Sequence, residues 1–184
     1  MLRLVPAASE APPRPSLTLA DTSDMLGFLA ESALHHATSG RLEEAGGMFH
    51  WLVEMSADKR SKRRGHFLTR LARIEIQLGQ VDEAQKRLEE AYRLDTTNVE
   101  TLIALGSLHE ANKKWAEALK IYRSMLLQNA DKSGHIRRGD IYLCLARTHM
   151  GLSEKPKAQA MLRRGVEEDP THDELKKMLE ELGG

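Results

Sequence analysis

From Met25 to the end of the chain, large apolar residues recur every three or four positions, which is the spacing of one face of an α-helix. One such stripe contains Leu68, Leu71 and Leu78 and stops at Gly79, a residue type that commonly ends helices. No segment alternates apolar and polar residues in the manner of a half-buried strand. The pattern therefore predicts an all-α protein whose helices are joined by short turns into antiparallel pairs.

The helical pattern repeats along the chain at a fixed distance. Leu71 and Leu105 are 34 residues apart, and so are Ala84 and Ala118. A helix pair with this period cannot bury its apolar face by itself, so neighbouring pairs must stack on one another. The sequence predicts a solenoid in which small residues at the recurring positions let the helices of a pair approach closely.

The recurring positions resemble those of the tetratricopeptide repeat (TPR), which combines bulky, small and aromatic residues at fixed offsets. The third unit matches this pattern best, and the first is weakest because Ser32 stands where the family usually has Leu. The resemblance implies an all-α, TPR-type helical-hairpin solenoid that winds as a right-handed superhelix. The matching residues are, unit by unit, Leu29, Ala33, Gly40, Leu42, Ala45 and Phe49; Leu68, Leu71, Ala72, Gly79, Ala84, Leu88 and Ala91; Leu102, Leu105, Gly106, Trp115, Ala118 and Tyr122; and Tyr142, Leu145, Ala146, Ala158, Leu162, Gly165 and Pro170.

The expected domain organisation follows from this register. We predict a TPR domain over 23–184, with repeats at about 26–59, 65–98, 99–132 and 139–172 and a capping helix at 172–182. The insertions Arg60–Arg64 and Ser133–Arg138 interrupt the spacing and should lengthen helix ends or loops. Four of the six prolines lie in the first fifteen residues, so 1–22 is predicted to be a disordered tail, with order beginning near Asp21–Asp24.

Charge, cysteine content and the length of apolar runs limit the partners and the cellular locations that the sequence predicts. Lys plus Arg and Asp plus Glu each number 27, so no overall charge draws the chain to nucleic acid or to a membrane. Its one cysteine, Cys144, excludes a disulfide within the chain and favours a reducing compartment. No apolar run reaches the roughly 20 residues of a membrane span, and Pro6 interrupts the first apolar residues where a signal peptide would continue. These features predict a cytoplasmic protein.

The residues that carry chemistry in enzymes do not form a recognisable site here. Eight histidines are scattered without an HExxH or cysteine-pair spacing, and the adjacent His35 and His36 point in different directions on a helix. Gly46 and Gly47 lack the Lys and Ser/Thr that follow in a phosphate-binding loop, and Cys144 lies within a helix. The sequence predicts no metal, no cofactor and no enzymatic activity.

A basic segment is the most unusual local feature. Three interpretations are open: a solvated loop, a contact for an acidic partner, or a nucleic-acid site that lacks the usual aromatic stacking residues. Acidic residues predominate near the carboxyl terminus, which favours either weak head-to-tail association of two molecules or an extended partner with charges of opposite sign at its two ends. The cations of the segment are Lys59, Arg60, Lys62, Arg63 and Arg64, followed by Arg70 and Arg73.

The resemblance also implies where a partner would bind. In this family the first helices of successive repeats line a concave groove, which predicts a non-enzymatic scaffold or adaptor for a peptide or protein partner. Arg73 and Arg147 hold equivalent positions and should suit acidic groups that flank an apolar residue. The predicted groove residues are His66, Thr69, Arg73, Gln77, Glu100, Ile103, Ser107, Asp140, Leu143 and Arg147, with Gly27, Ala30 and Leu34 in the first unit and Ala111 and Gly151 near the ends of the later first helices.

Two other functions fit the same sequence. Chaperones for secretion substrates use this repeat in chains of similar size, and a helical-repeat nucleic-acid binder would use the basic segment 59–73. The Lys and Asn set with which some family members bind the carboxyl terminus of heat-shock chaperones is missing, although Arg73 or Arg147 could still pair with a carboxylate. The residues at the corresponding positions are Ala30, Leu34, Thr69, Arg73, Ile103 and Ser107. Binding of a chaperone tail is therefore not expected.

Overall fold

The computed structural model describes residues 19–56 and 58–183, with side chains from residue 24 onward. These residues form nine α-helices and a short 3₁₀ helix, Ala130–Ser133, and contain no strand. The prediction of an all-α solenoid is confirmed. The helices are α1 (Leu19–Thr38), α2 (Leu42–Met55), α3 (Lys62–Gln77), α4 (Val81–Leu94), α5 (Val99–Ala111), α6 (Trp115–Leu127), α7 (Arg138–Gly151), α8 (Lys155–Glu168) and α9 (Asp173–Glu181).

Short polar residues fix where several helices begin. The Ser61 hydroxyl accepts a hydrogen bond from the Arg64 amide at 3.2 Å, and the Asn98 side chain accepts one from the Thr101 amide at 3.0 Å. These bonds satisfy amides that have no partner within the first turn of a helix. The two caps therefore set the starts of α3 and α5, the helices that carry most of the predicted groove.

A left-handed residue follows the first helix of every pair. Its φ is 79° at Gly40 and Gly79, 56° at Lys113 and 61° at Ser153. Each of these amides donates to a carbonyl of the last helical turn, so the chain reverses tightly toward the second helix. The four turns occupy equivalent positions, which is the structural basis of the short hairpin connections.

Small residues lie where paired helices cross. Ala72, Ala146, Ala84 and Ala158 are all fully buried. At Gly106 the approach is so close that an added Cβ would lie 2.5 Å from a ring carbon of Tyr122. Larger side chains at these positions would overpack the helix pairs.

The core runs through the whole stack in two clusters. One cluster joins α1 and α2 to α3 and the end of α4, around Phe49, Leu52 and Leu68, and the other extends from α3 to α9. Leu175 of α9 is fully buried and Leu182, just after the helix, is 9% exposed, while Met178 and Leu179 pack against the same cluster. The helix α9 therefore covers the apolar edge that α7 and α8 would otherwise expose.

The structure shows where both insertions lie, and it describes the amino-terminal region from residue 19 onward. α3 begins at Lys62, so most of the insertion Arg60–Arg64 extends that helix, and the second insertion forms a loop before α7. α1 begins at Leu19, ahead of Asp21–Asp24, where order was expected to begin. Residues 1–18, which include the proline cluster, lie outside the described part, so the tail remains a prediction. In the described helices, no stretch is both long and apolar enough to cross a membrane.

Candidate functional site on the first helices of the pairs

A cavity of about 630 Å³ lies over α3 and α5. Six of the predicted groove residues line it, and four lining residues were not predicted. Three of these four are apolar and lie next to predicted residues on the same helices. The predicted set is Arg73, Gln77, Glu100, Ile103, Ser107 and Ala111, and the additional set is Ile76, Ala104, Leu108 and His135.

A second, smaller cavity of about 250 Å³ lies between α1 and α3 and is lined in part by Leu34, Ala37 and Phe49. Arg73 and Gln77 line both cavities, so they form a ridge between them. The two cavities together form one trough across α1, α3 and α5. We call this surface the trough.

Arg73 is the cation at the centre of the trough. Its side chain is exposed and makes no hydrogen bond or ion pair with any residue that the structure describes. The neighbouring Arg70 instead donates to the Glu100 carboxylate at 2.8 Å. Glu100 is therefore already paired, and Arg73 keeps its positive charge available to a partner.

Arg147, the equivalent residue on α7, has a different environment. Its guanidinium lies 3.6 Å from a Glu110 oxygen and donates to Cys144 Sγ at 3.3 Å. The Tyr122 hydroxyl donates to the same Glu110 oxygen at 3.0 Å. Burial raises the pKa of Cys144 to about 11, so this cysteine stays a neutral thiol in the cluster. Arg147 is thus partly engaged within the protein, unlike Arg73.

The structure places two predicted groove residues between helices and not on the trough surface. Thr69 is fully buried, with its hydroxyl 2.7 Å from that of Thr101 and donating to the Gly65 carbonyl at 3.0 Å. Leu143 is 3% exposed and belongs to the core. Thr69 faces the adjacent first helix α5, because α3 and α5 pack closely at this point.

Two further predicted residues hold polar contacts at the start of helices. His66 is exposed, and its ring lies 3.0 Å from the Asn98 side-chain nitrogen at the start of α5. Asp140 accepts from the Arg137 amide at 3.0 Å and lies 2.9 Å from His172 Nε2. Asp140 therefore links the first turn of α7 to the residue that precedes α9. Neither side chain lines the 630 Å³ cavity.

His135 reaches the rim of the trough from the loop between α6 and α7. The loop is held by Ile136, which packs on the core, and by an ion pair of 3.3 Å between Arg138 and Asp131. The His135 amide also donates to the Ser133 hydroxyl at 3.2 Å. The break in the 34-residue spacing marked this loop in the sequence, but spacing alone does not show where the loop folds.

Comparison with known proteins agrees with this architecture. Residues 75–138 match the family model for the tetratricopeptide repeat. Residues 75–138 therefore carry tetratricopeptide repeats. None of the curated proteins matches it in sequence.

Solved structures of TPR proteins share the fold over most of the chain. MamA from Desulfovibrio magneticus is 14% identical, with a TM-score of 0.72 over 86% of this chain and 84% of that one. A TPR protein from Parabacteroides merdae is 20% identical, with a TM-score of 0.72 over 86% and 60%. YrrB, described as a TPR protein with an unusual peptide-binding site, is 19% identical, with a TM-score of 0.67 over 87% and 77%.

The cations of the basic segment are held by contacts with different helices of the fold. Lys62 lies 3.1 Å from Asp95, and Arg64, which is 8% exposed, pairs with Glu90 and donates to the Val53 carbonyl. Arg63 lies over the Phe67 ring at 5.7 Å. Because these cations are tied to α2, α4 and their own helix, the segment does not present one continuous positive surface.

Acidic and histidine side chains also have structural partners in the TPR repeats. Glu168 accepts from Tyr142 at 2.5 Å and from Arg164 at 3.1 Å, and it pairs with Arg138. His149 lies 2.7 Å from a Glu154 oxygen within the last repeat. Across the described residues, no three His, Cys, Asp or Glu side chains converge as metal ligands would.

Proposed function

We propose that this protein is a non-enzymatic scaffold that binds an extended peptide segment in the trough, with an acidic group of the peptide beside an apolar residue. The TPR fold is typical of protein-interaction scaffolds and indicates a protein or peptide partner. The observation that carries the finer proposal is Arg73, an exposed cation with no described partner at the edge of a 630 Å³ cavity.

The floor of the cavity is apolar and its rim is polar. Ile76, Ile103 and Leu108 contribute hydrocarbon surface, whereas Gln77 and Ser107 offer hydrogen-bonding groups beside it. Pockets of about 300–1,000 Å³ with this arrangement bury one apolar group and orient it through a few polar contacts. A single large side chain of a peptide fits this description.

The charge of the trough favours an acidic neighbour for that side chain. A guanidinium binds a carboxylate through two parallel hydrogen bonds and keeps its charge when partly buried. Glu100 does not compete for Arg73, since its carboxylate is paired with Arg70 at 2.8 Å. YrrB, a protein of the same fold, is described as having a peptide-binding site, which supports a peptide as the ligand class.

The proposal is tested with an array of peptides in which Asp or Glu stands beside Leu, Ile or Phe. We expect binding that Arg73→Glu weakens at least tenfold, with smaller effects from Arg147→Glu. The matched control is Arg93→Glu, an exposed arginine on α4 outside the trough. A peptide array without a binder that depends on Arg73, or equal effects of Arg73→Glu and Arg93→Glu, would overturn the proposal.

A further inference from the structure

The first helix pair exposes a side that every later pair buries. Phe28 on α1 is 72% exposed, whereas Phe67, at the equivalent position of the second pair, is 6% exposed. Thr101 and Ile141, at the equivalent positions of the third and fourth pairs, are fully buried. In the later pairs the preceding helices cover this position, and among the described residues nothing precedes α1 to cover Phe28.

The outer side of α2 continues this apolar surface. Trp51 is 42% exposed and Met55 is 53% exposed, and Met25 on α1 is 44% exposed. Where the first pair has Trp51, the later pairs have Glu90, Ser124 and Arg164. We call the surface formed by Met25, Phe28, Leu29, Met48, Trp51 and Met55 the α1–α2 face.

The α1–α2 face contains both a protruding side chain and a cavity. Phe28 protrudes, and its neighbour in the sequence, Leu29, lines a cavity of about 410 Å³ together with Glu44, Gly47, Met48 and Trp51. A Cβ at Gly47 would meet nothing within 4 Å, so the missing side chain leaves this space open. A surface that carries both a projection and a matching cavity is suited to a second copy of itself, since each copy fills the other.

Two charges at opposite ends of α2 indicate how the copies would lie. Glu43 is exposed near the start of α2, and Arg60 is exposed shortly after its end. Neither side chain forms an ion pair with a described residue. Residues 43, 47, 51 and 55 follow at four-residue spacing on one side of the helix. If two α2 helices lie antiparallel across a twofold axis, Glu43 of each copy faces Arg60 of the other.

We propose that the α1–α2 face is the interface of a twofold-symmetric dimer of this chain, with α2 antiparallel to α2 of the second copy. Phe28 of each copy enters the cavity at Gly47 of the other, and the pairs of Glu43 with Arg60 fix the direction. Aromatic and Met side chains are enriched at the buried centre of protein interfaces, in agreement with this composition. The dimer leaves the trough open on both copies and does not depend on the peptide proposal.

Sedimentation velocity over a wide concentration range tests the dimer with the full chain. We expect a reversible monomer–dimer equilibrium whose dissociation constant rises at least tenfold in Phe28→Glu, Trp51→Glu and Gly47→Lys. Trp51→Glu and Gly47→Lys introduce the residue types that α4 has at the equivalent positions, Glu90 and Lys86, so α2 should tolerate both substitutions. Leu127→Glu, at an 83% exposed leucine on α6, is the control and should leave the equilibrium unchanged.

Charge reversal tests the antiparallel arrangement. Glu43→Arg and Arg60→Glu should each weaken the dimer, and the double variant should restore it, because the two charges face each other again. A chain that stays monomeric at every concentration, or a dimer indifferent to Phe28 and Trp51, would overturn the proposal. So would a double variant without recovery, or a dimer that forms only after removal of residues 1–18, since that result would assign the face to the chain's own amino-terminal segment.

Discussion

Gly106 on α5 lies directly against the ring of Tyr122 on α6, so closely that an added Cβ would be 2.5 Å from Cε1 of the ring. In the second pair the same two positions hold Ala72 and Leu88, both fully buried. The third pair thus combines a smaller residue with a larger one than the second pair does. Either combination fills the space where the two helices cross. The two combinations are alternative solutions to the same packing problem.

We expect Gly106→Ala to destabilise the protein by about 1–3 kcal/mol through overpacking, although Ala alone favours a helix more than Gly does. Tyr122→Leu should also destabilise it, because it removes ring volume and the 3.0 Å hydrogen bond to Glu110. The double variant recreates the Ala72–Leu88 combination and should cost less than the sum of the two. Urea denaturation of all four proteins measures the coupling, and strict additivity would contradict the proposed fit.

The left-handed turns give a second prediction. Lys113 and Ser153 adopt φ values of 56° and 61°, a conformation that costs a residue with a Cβ about 1–2 kcal/mol. Lys113→Gly and Ser153→Gly should therefore raise the free energy of unfolding by about 0.5–1 kcal/mol, after the greater freedom of Gly in the unfolded chain is subtracted. Gly79→Ala should lower it by about 1 kcal/mol. Loss of stability in both glycine variants would show that the turns carry no strain.

Residues that repeat along the chain were the predictable part of this structure. Gly79 ends its helix as expected, Gly40 has the same left-handed conformation at the equivalent position, and Ala84 and Ala118 are fully buried, because one physical requirement recurs in every pair. The repeating pattern does not predict how each first helix packs against its neighbours. For this reason Thr69, expected on the groove surface, is fully buried.

Features that occur once in the chain could not be placed from the sequence. The insertion before α7 was visible as a break in spacing, but its path depends on the anchor of Ile136 in the core and on the ion pair of Arg138 with Asp131. Only that path brings His135 to the rim of the trough. Likewise, Phe28 fits the helical pattern, and its exposure follows from the absence of a described pair before α1.

Replacing Arg73 and replacing Arg147 should have different effects on the stability of the protein, as well as on peptide binding. Arg147→Glu places a second carboxylate beside Glu110, whose side chain is only 14% exposed, and should lower the free energy of unfolding by about 1 kcal/mol. Arg73→Glu should leave it unchanged, because no described side chain pairs with Arg73. Thermal unfolding compares the two variants. An equal loss in both would mean that Arg73 also stabilises the fold.

The last repeat provides a prediction for acid stability. The hydrogen bond from Tyr142, together with those from Arg138 and Arg164, lowers the pKa of Glu168 to about 2 from its ordinary value of 4.5. Since the folded state binds this proton less readily than the unfolded state, the stabilising contribution is complete above about pH 4.5 and is lost as the pH falls toward 2.

We therefore expect Glu168→Gln to lower the unfolding temperature at pH 7 and to have a progressively smaller effect between pH 4.5 and pH 2. Glu167→Gln, on the same turn of α8 and exposed, is the matched control and should show no such pH dependence. The measurement is thermal unfolding by circular dichroism at half-unit steps of pH. A difference between wild type and Glu168→Gln that stayed constant down to pH 2 would assign the effect to packing of the side chain, because only an ionised carboxylate gains from the guanidinium groups of Arg138 and Arg164.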